Sequence, residues 1–366
     1  MENNDQLPIV YVSPYYQAGL ASGANRRFDE ICKRFLSELG DKFTLIVSKG
    51  NVPNWWNGSN LIEVDYEFNH RSKFKAAKQI ANALDKLPPS IVVFESIPIP
   101  FRALRRHVHF QVAYDFRYFT GHSKSFLYRL VFTPYLKYEW GKSQFMVTCS
   151  DFSIAELEKY VGYDKNRVVK SFFGMDQNLF TVAGAQAPQK DIDIIYVAHY
   201  EKRKNYPPLI EAIAKIDKNL RVVFHGRDNG MMAELQAQAK HLGLINTTFG
   251  TENISDEELW NMYRRSKVFA YPSTYEGFGI PLIESLALGI PVVCADVPVF
   301  HEVSGDFATF FDPYDVSDIA EKLKGALDNP VVPPKEKVQK HLEQFFWENI
   351  YKKFIEDLRV YAARTL

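Results

Sequence analysis

The sequence predicts an α/β protein of two Rossmann-like domains, each built on a parallel sheet. Three observations predict it. Short apolar blocks alternate with segments of helical period from one end of the chain to the other, the pattern that β-α-β units produce. At 366 residues the chain exceeds one ordinary core and suits two of common size. Thr181 to Asp191 (TVAGAQAPQKD) is small, polar and poor in apolar side chains, with Pro188 inside it, which is the composition of a linker. The expected division is residues 1–182, residues 183–345 and a closing segment, 346–366.

The first strand is expected at Ile9 to Val12, followed by a loop with Gly19 and Gly23. Phe28, Ile31, Cys32, Phe35, Leu36 and Leu39 then fall on one helical face, and Gly40 stops that helix. Phe43 to Val47, Ile91 to Phe94, His109 to Ala113 and Phe145 to Thr148 read as further strands. Beyond the linker, Ile192 to Val197 and Arg221 to Phe224 are strands on either side of a helix from Pro207 to Lys215. A helix from Met231 to Leu242 ends at Gly243, and Ser255 with Glu258 forms a capping box for the next, to about Arg265. Val268 to Tyr271 is a strand, Pro281 to Leu288 a helix closed by Gly289, and Pro291 to Ala295 a strand. The last helix, from about Trp347 to Ala363, carries apolar residues on two faces and needs a cover. The first domain is the expected one.

Apolar residues at 46% and charged ones at 24% exclude disordered and fibrous classes. Lys plus Arg equals Asp plus Glu at 44 each, so no global charge recruits nucleic acid, and none is expected as a partner. Cys32, Cys149 and Cys294 form no CxxC pair and no disulfide framework, which suits a reducing cytosol. The polar opening MENNDQLP runs straight into a strand, so no signal peptide is expected. No apolar run reaches bilayer-spanning length. The expected location is cytoplasmic, with peripheral contact on the inner face of the plasma membrane as an extension.

The chemistry concentrates between Tyr271 and Pro298 (YPSTYEGFGIPLIESLALGIPVVCADVP). A strand delivers the loop Glu276-Gly277-Phe278-Gly279-Ile280 onto a helix that opens with Pro281, a residue that fixes the first turn without losing a hydrogen bond. The glycines leave the backbone bare, so the N–H groups of Gly279 and Ile280 can meet an anion, and the helix dipole adds to the attraction. A diphosphate fits such a place. Glu284, one turn in, would repel that anion unless it reached neutral hydroxyls such as a ribose diol, and Glu276 can meet sugar hydroxyls on the other side. The plain alternative is a strand-loop-helix turn with two solvated glutamates. Lys202, Arg203, Lys204 and Asn205 follow another strand's carboxyl end, where open α/β sheets bind ligands.

This stretch resembles the E-x7-E signature of the retaining glycosyltransferases of family 4, the group 1 transferases of the GT-B fold. Phe173-Gly174-Met175-Asp176 with Phe180 resembles the family's N-G-V-D-x-x-x-F segment. Asp296-Val297-Pro298 with Glu302, and then Asp312-Pro313, fall where the family has S-D-x-P…E and D-P. Phe346-Trp347-Glu348 resembles the start of its closing helix, so the likeness extends over most of the chain. It implies two Rossmann-like domains with parallel sheets facing across a cleft. It also implies a UDP- or GDP-sugar donor, a glycan or lipid-linked glycan acceptor, and bacterial surface polysaccharide as the setting. No metal or other cofactor is implied, because Lys204 and the helix N-terminus neutralise the diphosphate. In the family, the residue at Glu276 contacts the donor sugar and the one at Glu284 holds the ribose. Lys204 matches the family's lysine, whereas its arginine position aligns with His199, leaving Arg203 or a protonated His199 to compensate. His225, Gly226 and Arg227 end another strand near the donor, and Phe249-Gly250-Thr251 resembles the loop that holds the base.

In the first domain, Gly19, Gly23, Asn25 and Arg26 resemble the family's glycine-rich loop, which closes on the diphosphate and lines the acceptor site. The loop is not G-x-G-x-x-G, so no dinucleotide fingerprint is present. The family's His-Asp pair is here Tyr114-Asp115. Tyr114 is a candidate for a sugar hydroxyl, Asp115 for orienting the acceptor, and His122 for replacing the missing histidine. Asp115 equally suits a structural turn. Arg102 to Lys142 holds eight Lys or Arg against Asp115 and Glu139, with aromatics between them. Such a stretch either lies on anionic lipid or forms an amphipathic helix with Phe126, Leu127, Leu130 and Val131 in the core. Two rivals to transfer remain: a sugar-nucleotide epimerase of the same shape, and a catalytically silent sugar- or lipid-binding protein.

Overall fold

Parallel strands β1 (Ile9–Ser13), β2 (Phe43–Ser48), β3 (Leu61–Val64), β4 (Ile91–Phe94), β5 (Val108–Val112), β6 (Phe145–Thr148) and β7 (Val168–Lys170) make one sheet in the order β3-β2-β1-β4-β5-β6-β7. A second parallel sheet holds β8 (Ile192–Val197), β9 (Val222–His225), β10 (Thr247–Gly250), β11 (Ser266–Tyr271), β12 (Val292–Ala295) and β13 (Ala308–Phe311), ordered β10-β9-β8-β11-β12-β13. The computed structural model describes residues 7–20, 22–67, 70–95, 98–121, 126–184 and 188–365, and these strand counts are of those residues. Two compact units result: one runs to Gly174 and takes in the chain from Trp347, the other spans Met175–Phe346. In both sheets the strand order reverses beside the first strand, at β1/β4 and at β8/β11. These are the switch points where open α/β sheets leave a crevice.

The expected strands all form. Four others, β3, β7, β10 and β13, are additional, and all four are sheet edges. Interior strands are buried on both faces and largely apolar, with buried His109 and Gln111 in β5 and Asp193 in β8 as polar interruptions. Of the edge strands, β3 and β10 are mostly half-exposed. Phe249 and Gly250, expected in a loop, therefore close β10.

The segment read as a linker is partly helical. Asn178–Gly184 is a helix within the second unit that buries Leu179 and Phe180. Asp176 accepts from the Asn178 N–H at 2.8 Å, and the Phe180 ring meets Phe346 at 6.0 Å. The chain changes unit at Gly174, where a methyl group would stand 2.4 Å from the Trp347 ring. The closing helix, Trp347–Ala363, buries Trp347, Ile350, Tyr351, Phe354, Ile355, Leu358 and Ala362 in the first unit's core. Tyr351 packs on Phe35 at 5.4 Å and its hydroxyl donates to Glu38 at 2.7 Å.

Candidate functional site

At the β8/β11 switch point the two strands end in loops that fasten to each other. After β8, Lys202–Lys204 forms a single 3-10 turn closed by Asn205 at φ 55°, in the left-handed region. Asn205 is the one non-glycine residue there among those described, and asparagine tolerates it. The Arg203 carbonyl accepts from the Thr274 N–H at 3.0 Å and the Thr274 hydroxyl at 3.2 Å. The Lys204 carbonyl accepts from the Tyr196 hydroxyl at 2.8 Å, which also lies 3.1 Å from Ser273 Oγ.

Glu276 is the hub of this junction. It is 8% exposed. Its Oε2 accepts from Arg203 Nη1 at 2.7 Å, while its Oε1 accepts from Lys204 Nζ and from the Tyr271 hydroxyl, the latter at 3.1 Å. Arg203 also donates to the Tyr275 carbonyl at 2.9 Å and pairs with Glu201 at 2.6 Å. Burial alone would raise the Glu276 carboxyl, but Lys204 and Arg203 overcome it and hold the group at about 2. Burial draws the Lys204 ammonium below its ordinary value, opposed by Glu276. The group is an ionised carboxylate compensated by two cations.

Beside it, Gly279 takes φ 115° and precedes the helix Ile280–Ala287, which no side chain caps and which has proline in its first turn. A Cβ at Gly279 would be strained by that φ and would lie 3.2 Å from Leu282 and 3.4 Å from Phe300. The amides of Gly279 and Ile280 therefore stand at a helix N-terminus with bare backbone before it, as an anion requires. Glu284 lies one turn on and is 3% exposed. His199, just past β8, is exposed. Partial desolvation of its ring and the nearby Lys204 lower it, with Arg203 and Arg227 adding to the effect and Glu201 opposing it. Phe249 stacks within an aromatic group, 5.2 Å from Phe224 and 6.1 Å from Tyr200. Gly226 sits where a methyl group would fall 2.0 Å from the Ala198 carbonyl, so only glycine lets β9 leave beside His199.

The first unit uses its candidate residues differently. Gly23 opens the helix Gly23–Leu39, capped by Ser22, whose hydroxyl accepts from the Asn25 N–H at 3.1 Å. The Asn25 side-chain amide donates to the Gln17 carbonyl at 2.7 Å and the Leu20 carbonyl at 2.9 Å, pinning the loop before the helix. Asp115 accepts from the Arg117 N–H at 3.3 Å and pairs with its guanidinium at 3.5 Å, a turn-closing arrangement. Tyr114 turns its hydroxyl onto Glu95 and receives Arg27 Nη1 at 3.3 Å. His122 lies outside the described residues. Of the four residues that an amphipathic helix would bury, Leu130 and Val131 are 62% and 76% exposed, and the side chains of Phe126 and Leu127 lie outside the described residues; the helix Phe126–Gly141 buries Leu136, Glu139 and Trp140.

The sequence did not single out Tyr196, Tyr271 or Ser273, nor Arg27, which is fully buried against Tyr11, Tyr114 and Ser171. One signal was available. A tyrosine inside a buried strand must satisfy its hydroxyl, so Tyr11, Tyr196 and Tyr271 pointed to polar partners at their strand ends.

Residues 181–344 match the family model of the glycosyl transferases group 1. The second unit is a group 1 glycosyl transferase domain. The chain is 26% identical over 230 residues to O-antigen chain mannosyltransferase B of Escherichia coli, over 57% of this chain and 58% of that one. Another 191-residue match, 31% identical, is to the serotype-specific mannosyltransferase WbdA of Escherichia coli, over 50% of this chain and 22% of that one. The chain thus spans less than two thirds of the length of either relative. Sucrose-phosphate synthase of Thermosynechococcus elongatus shares the fold at a TM-score of 0.78 and 18% identity, over 98% of this chain and 100% of that one. The transferase domain and the unit before it together have the GT-B fold. Among the described residues no helix is long and apolar enough to cross a membrane.

Proposed function

We propose that the chain is a retaining, metal-independent hexosyltransferase of bacterial surface polysaccharide assembly, taking its sugar from a nucleotide diphosphate donor. The observation that carries this is the buried Glu276–Lys204–Arg203 cluster beside an uncapped helix N-terminus at the β8/β11 switch point. The diphosphate lies on the amides of Gly279 and Ile280, with Lys204 and Arg203 stabilising the charge that grows as it leaves. Glu284 takes the ribose hydroxyls and Phe249 flanks the base. Glu276, its carboxyl held low by Lys204 and Arg203, accepts from hexose hydroxyls while holding both cations in place. The acceptor oxygen bonds to the anomeric carbon on the face the diphosphate vacates, and a phosphate oxygen takes the acceptor's proton. Acceptor binding falls to the first unit, with Gly23 and Asn25 shaping the loop and Asp115 and Tyr114 beside β5.

The relatives named above are mannosyltransferases, so GDP-mannose is the first donor to test, against UDP- and ADP-sugars. A donor at one hundred times its dissociation constant stabilises the native state by about 2.7 kcal/mol, so one donor should separate from the rest in a thermal-shift screen. Release of nucleoside diphosphate only with a glycan acceptor, and an α-linked product from an α-linked donor, complete the test. A changed sugar without acceptor would favour an epimerase, and binding without release a silent protein. Exposed Leu130 and Val131 among Arg129, Lys137 and Lys142 favour contact with an anionic membrane surface. Sedimentation with anionic but not zwitterionic vesicles checks it.

A further inference from the structure

A cavity of about 540 Å³ opens on the first unit, away from every residue assigned above. It lies between the last turns of the helix Gly23–Leu39, the Gly40–Lys42 turn and the loop from β2 to β3. Gly40–Lys42 leads straight into β2, and Ser59 stands just before β3. The cavity is therefore at the amino ends of these strands, whereas open α/β sheets bind their reacting ligands at the carboxyl ends.

Its wall combines one fixed aromatic ring with polar side chains at the lip. Trp55 Nε1 donates to Asp29 at 2.7 Å, and its ring stands edge-on to Trp56 at 6.1 Å. Trp56 covers the core, 5.9 Å from Phe43. Gly58 allows the close approach, since a methyl there would lie 2.7 Å from the Trp56 ring and 2.8 Å from Leu36. Ser59 Oγ donates to the Asp41 carboxylate and Asn60 Nδ2 to the Asp41 carbonyl, both at 2.6 Å, fastening the loop to the helix end. Lys33, Ser37, Asp41, Asn57 and Ser59 are exposed around the opening.

A pyranose presents an apolar face of C–H bonds and a girdle of hydroxyls that donate and accept. A tryptophan ring matches the first, and hydroxyl, amide, ammonium and carboxylate groups match the second. The volume falls in the range of small-molecule sites, about 300–1,000 Å³. Of the lining residues Lys33 and Asp41 are the charged ones, Lys33 paired with Glu30 at 3.0 Å and Asp41 accepting from Ser59, so no block of one sign stands at the lip, which suits a neutral ligand. The loop is fastened before any ligand arrives, so little ordering opposes binding.

We propose that this cavity is a second carbohydrate site, holding a neutral stretch of glycan distant from the hydroxyl that reacts. The inference rests on the glycan-transfer reading. A chain gripped here is presented to the reacting site at raised effective concentration, so long acceptors gain over short ones.

The test is calorimetric titration of the full chain, without donor, with α-linked mannotetraose and with maltotetraose. Saturable binding of either is expected. Trp55→Ala should weaken it about tenfold, the worth of one aromatic contact. Ser37→Arg, which fills the cavity from an exposed helix position, should do the same and decides the matter if Trp55→Ala fails to fold. Both variants should keep wild-type turnover with a monosaccharide acceptor. No saturation by the wild type, or undiminished affinity in a folded variant, overturns the proposal. Because no donor is present, loss of this binding alongside intact transfer sinks the cavity only, whereas absent donor binding sinks the transfer reading and leaves the titration standing.

Discussion

Replacing Glu276 with glutamine keeps the side chain's size and removes its charge. Lys204 and Arg203, both largely buried, then lose the carboxylate that compensates them. Breaking a buried pair from one side costs about 3–5 kcal/mol. Linkage gives a second route to the magnitude. A carboxyl held at about 2 instead of its ordinary 4.5 contributes about 3 kcal/mol to the folded state. The folded value is depressed, so this stability is fully present above 4.5 and is lost as pH falls from 4.5 toward 2. Glu276→Gln should therefore be about 3 kcal/mol less stable than wild type at pH 7. The gap should narrow steadily below pH 4.5, as protonation of this carboxyl in the unfolded wild-type chain, which the native state resists, stabilises the unfolded state. Trp260 is the second unit's one tryptophan, so urea titration followed by 19F NMR of 5-fluorotryptophan-labelled protein reads that unit alone. Equal midpoints at pH 7, or a gap independent of pH, would refute the buried-cluster argument. Transfer should fall sharply in the same variant, while nucleotide diphosphate affinity holds, since both cations remain.

Lys204→Ala should lower kcat about a hundredfold and raise the donor KM together, because it removes a charge aimed at the leaving group; a wild-type rate at saturating donor rejects the assignment. Gly279→Ala forces a side chain into φ 115° and against Leu282, which should cost about 2 kcal/mol and weaken nucleoside diphosphate binding by calorimetry. Unchanged binding would remove the amides of that turn from the phosphate site. Gly174→Ala drives a methyl into the Trp347 ring and should destabilise the first unit by about 1–3 kcal/mol. Hydrogen exchange should quicken along Trp347–Ala363, and unchanged protection there would contradict the packing.

How much of this was legible depended on whether neighbours in sequence held the information. The interior strands were legible because burial on both faces leaves a largely apolar run. β3, β10 and β13 were not, because each is half exposed, nor was β7, which is only three residues long. Glu276, Gly279 and Pro281 announced themselves within six residues. Their pairing with Lys204 did not, since 72 residues separate the carboxylate from the ammonium. Local polarity is also ambiguous. Asp115 and Asn25 have the chemistry of ligand contacts, and their side chains also close a turn and pin a loop. Asp and Asn satisfy nearby backbone as readily as a ligand, and one sequence does not separate the two uses.

The two sheets share a strand order, and they share a device at the point where it reverses. In the second unit, a carboxylate after the fourth strand, Glu276, meets cations after the first strand, Lys204 and Arg203, with Tyr271 donating from the strand end. In the first unit, Glu95 follows the fourth strand and Arg27 the first. Glu95 accepts from Tyr11 at 2.7 Å, from Ser13 at 2.8 Å and from Tyr114, and Arg27 reaches the Tyr11 hydroxyl at 3.4 Å and the Tyr114 hydroxyl at 3.3 Å. Strand ends at a switch point turn away in opposite directions, so their last buried side chains have no neighbouring strand between them. A tyrosine-lined carboxylate and cation fill that gap with satisfied polar groups. What distinguishes the second unit is the bare glycine turn and uncapped helix set next to the cluster. On the proposed reading, that helix end takes the diphosphate and the cations beside it stabilise its charge. Arg27 and Glu95 without such a helix end are therefore expected to hold the first sheet together, and Arg27→Leu should lower that unit's stability while leaving donor affinity unchanged.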